Sequence, residues 1–162
     1  MNRKNIALIL SGGEGKRFDK SKPKQFFKIN EQTILEITVE KFIKSSLFYN
    51  VIVVCPLKHK NETQRLLKKF KVTIVTGGET RQKSVLYGLE RCKKYKSENI
   101  IIHDVVRPFF SKKIMHYCMR FNKKMYRRIS GNFIFAMTEV VNCGKISTHF
   151  IWGFLLKNSN SY

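Results

Sequence analysis

The sequence predicts an α/β fold in which a Rossmann-like parallel sheet carries helices on both faces. Short, continuous apolar runs alternate along the chain with segments whose apolar residues recur at helical spacing. Each run ends at glycine, proline or a polar residue, as buried parallel strands do. With 162 residues, 43% of them hydrophobic, the chain can bury one real core, so residues 1–162 are expected to form a single domain.

Four strands and three helices are predicted in alternation. Thr33 and Glu36 resemble a capping box at the start of the first helix, and Asn61 is the expected N-cap of the second. In chain order the elements are the strand 5–10, the helix 33–44, the strand 51–55, the helix 61–70, the strand 71–75, the helix 81–95 and the strand 99–103.

The net charge of +21 indicates a partner or substrate that is anionic: a nucleotide, a phosphosugar, nucleic acid or an acidic membrane surface. The charge is uneven, because residues 105–162 contain ten basic residues and a single acid, Glu139. No apolar run approaches the roughly 20 residues of a membrane span. The four cysteines are widely spaced, which favours free thiols in a reducing cytosol over zinc or a redox pair.

Polar motifs follow three of the predicted strands. They are "SGGEGKR" after the first strand, "GGETR" after the third and "HDVVRP" after the fourth. Because ligands of parallel sheets bind outside the carboxyl ends of the strands, these motifs are expected to share one site.

The first motif matches neither a P-loop nor the Rossmann fingerprint, because the required glycines are missing. Its backbone N–H groups, with Arg17 and Lys24 nearby, suit a phosphate cradle. A plain strand-to-helix turn is the alternative. Pro23 stiffens the chain before Lys24, so that the ammonium group can be oriented. The alternative is a solvated lysine in a basic loop.

The second and third motifs also allow two interpretations. Ser84 lies in the first turn of a helix, where it could meet a ligand, but a simple glycine turn capped by Thr80 fits equally well. Asp104, one of only two aspartates, follows a buried strand and could hold Mg²⁺ together with phosphate oxygens. His103 is expected to be a packed or hydrogen-bonded residue and not a catalyst.

Taken together and in order, the motifs resemble the 2-C-methyl-D-erythritol 4-phosphate cytidylyltransferase family and the related ribitol-5-phosphate cytidylyltransferases. They are Gly-Gly-x-Gly-x-Arg, Pro-Lys-Gln-Phe, Gly-Gly-x-x-Arg-x-x-Ser-Val and His-Asp-x-x-Arg-Pro. The match covers about residues 5–114. It implies a nucleotide-diphospho-sugar transferase type of fold, and it implies transfer of CMP from CTP to a sugar-alcohol phosphate with release of pyrophosphate.

The resemblance also implies roles for individual residues. Arg17 and Lys24 match the catalytic cations of the family, and Asp104 matches its Mg²⁺ ligand. The positions that match contacts to CTP are Gly12, Gly13, Gly15, Gly78, Arg81, Ser84 and Arg107. A cytoplasmic homodimer is implied by the family alone.

The resemblance fades after about residue 115. In the family a Pro-Val-x-Asp-Thr segment, a dimer arm, a Thr-Pro-Gln stretch and a late lysine follow, and here only Thr138 resembles a remnant. Residues 115–162 are therefore expected to be a divergent tail that leaves the fold incomplete, arising from a frameshift, an early stop or a fragment. A cyclodiphosphate synthase domain fused downstream stays an open possibility.

Methylerythritol phosphate is the preferred acceptor because of the form of "GGETRQKSV". The alternatives are ribitol phosphate or another sugar phosphate, a catalytically impaired fragment that binds CTP, and a basic RNA-binding domain. The last lacks the aromatic pattern of an RNA-recognition strand, so nucleic acid is not the expected partner.

Overall fold

The computed structural model of the protein describes residues 5–13, 22–95, 97, 99–120 and 138–142. A five-stranded sheet with the order β5-β4-β1-β6-β7 forms its centre. The strands are β1 (Asn5–Leu10), β2 (Lys28–Ile29), β3 (Gln32–Thr33), β4 (Asn50–Cys55), β5 (Thr73–Thr76), β6 (Asn99–Asp104) and β7 (Thr138–Asn142). The helices are α1 (Ile34–Lys44), α2 (Lys60–Leu67), α3 (Arg81–Lys93) and α4 (Lys112–Arg120).

The sheet is parallel from β5 to β6, as the sequence predicts. β1 pairs in parallel with both β4 and β6, and β4 pairs in parallel with β5. The added edge strand β7 runs antiparallel to β6, which the alternation of strands and helices did not predict. The strand order reverses between β1 and β6, so this is the topological switch point. Sheets of this type bind ligands outside the carboxyl ends of the strands at such a point.

Two hydrophobic layers cover the two faces of the sheet. Ala7 and Ile9 of β1 point into the layer that contains α1 and α2, whereas Ile6 and Leu8 point into the layer that contains α3. All four side chains are fully buried, because strand residues alternate between faces and both faces are covered. Helices therefore lie on both faces, as predicted.

The close packing of α3 depends on a glycine. A Cβ at Gly88 would lie 2.5 Å from a methyl carbon of Leu8 and 3.0 Å from one of Val54. Since those atoms belong to the buried sheet, only glycine lets the helix approach β1 and β4 at this distance.

The sequence predicts the N-terminal cap of α1 correctly and that of α2 wrongly. The capping box of α1 is present: the Thr33 hydroxyl accepts from the Glu36 backbone N–H, and the Glu36 carboxylate accepts from the Thr33 N–H. The expected cap of the second helix is wrong, because α2 begins at Lys60 with His59 as its N-cap, and Asn61 lies inside the helix.

Several short elements of the described residues were not predicted. β2 and β3 form a two-stranded hairpin whose turn includes Asn30 with a φ of 55°. Two-residue strands carry too little apolar periodicity to be read from the sequence. Another is α4, which begins at Lys112, a short distance after the "HDVVRP" motif.

Among the described residues, Cys55 and Cys92 are buried thiols that form no disulfide, as expected. Burial raises the pKa of the Cys55 thiol, so it stays protonated and unreactive at neutral pH. Within the same residues, no helix combines the length and the apolar character needed to cross a bilayer.

Thr33→Ala is expected to destabilise the protein by about 1 kcal/mol, because it removes the capping hydroxyl of α1. Urea unfolding of wild type and variant at neutral pH measures the difference. Asn61→Ala is the control and should change stability little, since Asn61 is not a cap. Loss of stability in the control alone would contradict the assignment of both helix starts.

The effect of Thr33→Ala should shrink in acid. Burial raises the pKa of Glu36, but hydrogen bonds from Thr33 and Lys69 outweigh burial and leave that pKa lowered. A carboxylate with a lowered folded-state pKa stabilises the protein above its unfolded pKa, and this stabilisation is lost as the pH falls through the folded value. Urea unfolding of wild type and Thr33→Ala, repeated from neutral pH down through the folded-state pKa of Glu36, tests whether the difference in stability shrinks.

Candidate functional site

The three predicted motifs meet at the carboxyl edge of the sheet. Leu10 and Asp104 are paired in the register of β1 and β6, and the Val105 N–H donates to the Leu10 carbonyl at 3.0 Å. On the other side of β1, the Ser11 N–H donates to the Val54 carbonyl at 2.7 Å. These backbone bonds place the first glycines directly between β4 and the aspartate of β6.

The second motif joins the same edge through β5. The Gly77 N–H donates to the Cys55 carbonyl at 2.8 Å, so the glycine turn continues from the end of β5 alongside the end of β4. α3 then begins at Arg81, and its first turn lies at the edge where β1 and β6 end.

Asp104 is held between two arginines. Arg81 directs Nε and Nη2 to Oδ1 at 3.4 Å, and Arg107 places Nε 3.8 Å from Oδ2. The side chains of Arg81, Asp104 and Arg107 are 47%, 29% and 42% exposed. These long, partly hydrated ion pairs add little stability. They do connect the second motif with the third across the switch point.

Ser84 closes the second glycine turn in this structure. Its hydroxyl lies 2.9 Å from the Thr80 carbonyl and 3.2 Å from the Gly78 carbonyl. The Thr80 hydroxyl accepts from the Lys83 N–H at 3.1 Å, which confirms Thr80 as the cap of α3. A Cβ at Gly77 would lie 2.7 Å from the Ser84 hydroxyl oxygen, so this turn requires glycine.

The first two glycines of the first motif have a different environment. No described atom lies within 4 Å of the position that a Cβ would take at Gly12 or Gly13, and neither residue has a positive φ. Packing against the described residues and backbone conformation therefore do not require glycine at these two positions. Gly15 and Arg17 lie outside the described residues.

Lys24 begins a single turn of 3-10 helix, Lys24–Phe26, that leans against the first motif. Pro23 precedes it with a φ of −61° and an extended ψ. Gln25 is buried and donates from Nε2 to the Ser11 carbonyl at 3.3 Å. Phe26 is buried as well and packs edge-on against the His59 ring. The turn is thus anchored at Gln25 and Phe26, with Lys24 partly exposed at its start.

His103 has the packing role that was expected. It is 1% exposed, its Nε2 lies 3.0 Å from the Arg107 carbonyl, and its ring packs against Phe42 and Phe110. The buried ring therefore stabilises the turn of the "HDVVRP" motif, and a substrate cannot contact it.

Sequence reasoning missed the contribution of Ser11 and Gln25. Both stand beside or inside the quoted motifs, but a polar residue gives no sequence signal that it will be buried. Their contact joins residues fourteen positions apart, and only the folded chain brings them together.

Comparison with known proteins agrees with this geometry. The model of the 2-C-methyl-D-erythritol 4-phosphate cytidylyltransferase family matches residues 5–136. A protein of that name from Thermosipho melanesiensis is 41% identical over 116 residues, covering 68% of this chain and 51% of its own length. A ribitol-5-phosphate cytidylyltransferase from Streptococcus agalactiae is 33% identical over 119 residues, covering 69% of this chain and 50% of its own length.

A solved structure shares the fold. The 4-diphosphocytidyl-2C-methyl-D-erythritol synthase from Anaerococcus prevotii superposes with a TM-score of 0.64 at 24% identity, covering 76% of this chain and 53% of that one. The chain spans about half the length of the relatives it matches. With the family model matching most of its residues, the chain belongs to the 2-C-methyl-D-erythritol 4-phosphate cytidylyltransferase family.

Proposed function

We propose that this chain binds CTP at the carboxyl edge of the sheet and transfers its CMP group to 2-C-methyl-D-erythritol 4-phosphate, releasing pyrophosphate. The observation that carries the proposal is the meeting of the three motifs at one edge. Gly12 directly follows Ser11, Lys24 precedes the Gln25 that bonds to the Ser11 carbonyl, and Arg81 reaches Asp104. Ser11 and Asp104 follow or end neighbouring strands at the switch point.

The triphosphate is assigned to the first motif. Because nothing in the described fold fills the space at Gly12 and Gly13, phosphate oxygens can approach their backbone closely. Lys24 adds a positive charge from a turn tied to the Ser11 carbonyl through Gln25. Gly15 and Arg17 are proposed to complete this cradle.

The reaction needs no protein nucleophile. An oxygen of the acceptor phosphate bonds to the α-phosphorus of CTP, and the bond from that phosphorus to the oxygen bridging the β-phosphate breaks. Pyrophosphate then leaves with the electron pair. Lys24 and Arg17 would stabilise the negative charge on the α-phosphoryl oxygens, so that catalysis depends on positioning and charge.

Asp104 is the proposed ligand of Mg²⁺. Within the described part of the chain, no cluster of three or more acidic, histidine or cysteine side chains could enclose a metal ion. A single carboxylate suits Mg²⁺, which keeps several waters and takes phosphate oxygens as further ligands. The ion would neutralise charge on the phosphates, and Arg81 or Arg107 would give up its contact with Asp104 to admit it.

The base and ribose are assigned to the second motif. Gly78 lies in the turn that follows β5, and Ser84 lies in the first turn of α3 with its hydroxyl bonded to the Gly78 carbonyl. Arg81 reaches from the start of α3 to Asp104. The carbonyls and hydroxyl of this turn can recognise the cytosine and the ribose, and Arg107 would support the phosphates from the third motif.

We further propose that residues 1–162 act as one nucleotidyltransferase domain in the cytoplasm, as a homodimer. Methylerythritol phosphate is preferred as the acceptor because relatives of that name have the higher identity, 41% against 33% for the ribitol phosphate enzyme.

CTP with Mg²⁺ is expected to raise the melting temperature of the protein more than UTP, ATP, GTP or single-stranded RNA. A ligand that binds only the folded state stabilises a protein by RT ln(1 + [L]/Kd), so the effect grows with its concentration relative to Kd. Pyrophosphate release with methylerythritol phosphate, and not ribitol phosphate, would then identify the acceptor. Stabilisation by RNA that weakens steeply with salt would overturn the proposal in favour of an RNA-binding domain.

Lys24→Ala is expected to lower the rate of pyrophosphate release by about 100-fold or more, as loss of a charge-stabilising group does. Its urea unfolding midpoint should stay near that of wild type, because the side chain is partly exposed. Lys22→Ala, an exposed lysine two residues earlier, is the matched control. Near-normal turnover of the Lys24 variant would remove the assignment.

Asp104→Asn should abolish the Mg²⁺ dependence of CTP binding in isothermal titration calorimetry. Its free energy of unfolding should change by less than about 1 kcal/mol, because the two ion pairs that it loses are partly exposed. Glu79→Gln is the control: Glu79 is a more exposed acid that pairs with Lys83. A variant that keeps the Mg²⁺ dependence would contradict the metal assignment.

A further inference from the structure

We infer that Gln25 is a positioning residue that holds Lys24 in register with the first glycine motif, and so sets how tightly the triphosphate is bound. The inference rests on the proposed function. It assigns a role to a side chain that touches neither substrate nor metal and that acts through its neighbour Lys24.

Gln25 is buried next to Lys24. The side chain is 1% exposed and lies between Lys24, which is partly exposed, and Phe26, which is in the core. A buried amide must find hydrogen-bond partners, because an unmade bond costs the desolvation of the group. A polar residue at this depth therefore suggests a specific contact.

That contact is the bond from Gln25 Nε2 to the Ser11 carbonyl. Ser11 is fully buried and is the last residue before Gly12. Its N–H is already fixed to the Val54 carbonyl of β4 at 2.7 Å. With both backbone groups of Ser11 held, the glycine motif leaves the sheet from a fixed point, and one of the two restraints comes from the Lys24 turn.

The turn itself is fixed at its other end. Phe26 packs against the His59 ring with 5.3 Å between ring centroids, and the Phe26 N–H donates to the Pro23 carbonyl at 3.0 Å. Between these anchors, the bond from Gln25 is a direct polar link between the Lys24 turn and Ser11. Without it, the lysine and the glycine backbone could shift relative to each other.

The oxygen of the Gln25 amide allows a variant that loses the positioning bond without losing much stability. Among the described residues, Gln25 Oε1 and the Ser11 hydroxyl are buried without a hydrogen-bond partner. Gln25→Met removes the bond to the Ser11 carbonyl, but it also removes the unpartnered Oε1. The Ser11 carbonyl becomes an unpartnered buried acceptor in place of Gln25 Oε1. The free energy of unfolding should therefore change little.

The test measures CTP affinity by isothermal titration calorimetry for wild type, Gln25→Met, Lys24→Ala and the double variant. Gln25→Met should weaken binding about five- to tenfold, with its melting temperature within about 3 °C of wild type. The double variant should bind within about twofold of Lys24→Ala, because Gln25 acts through the lysine. Gln64→Met, which alters an exposed glutamine of α2, should bind CTP like wild type.

The other possible results contradict either this inference alone or the proposed function as well. Wild-type affinity in Gln25→Met, or effects that add fully in the double variant, would overturn the inference and leave the proposed function intact. No CTP binding by wild type would overturn the proposed function and this inference with it. If Gln25→Met does not fold, Gln25→Asn, which keeps the amide but is one methylene shorter, replaces it. Failure of both to fold would show a purely structural residue and overturn the inference.

Discussion

The parallel pairing of β1 with β4 on one side and with β6 on the other is the constraint on which the site depends. It puts the end of β1 level with the end of β6, so that Leu10 lies opposite Asp104. A shift of the register by one residue would turn the side chains of β1 to the opposite faces of the sheet. Because both faces are covered by helices, burial of the apolar side chains also fixes the position of the polar residues that follow them.

Polar chemistry collects at this edge because the rest of the sheet excludes it. The central strands are buried on both faces, and a charged group there would lose its hydration without compensation. The carboxyl edge leaves backbone N–H groups and partly exposed side chains accessible to solvent. Asp104, Arg81 and Arg107 are each between 29% and 47% exposed, so these charged side chains keep part of their hydration.

The glycines of this protein meet different physical demands. Gly77 and Gly88 are needed by the fold, since a Cβ at either position would lie within 3 Å of another side chain. Gly12 and Gly13 meet no such limit among the described atoms, so packing does not account for them. Glycines that packing requires and glycines that meet no described neighbour look identical in the sequence, and only the folded chain tells them apart.

The sequence by itself determined the α/β class, the strands of the parallel sheet, the capping box at Thr33 and the placement of three motifs at strand ends. These features follow from local periodicity and from residue chemistry, which need no knowledge of distant contacts. Only the tertiary structure decided that Arg81 reaches Asp104, that β7 pairs antiparallel with β6, and that Gln25 is buried against Ser11. Each of these joins residues far apart in the chain, and their approach depends on how the helices and strands pack against one another.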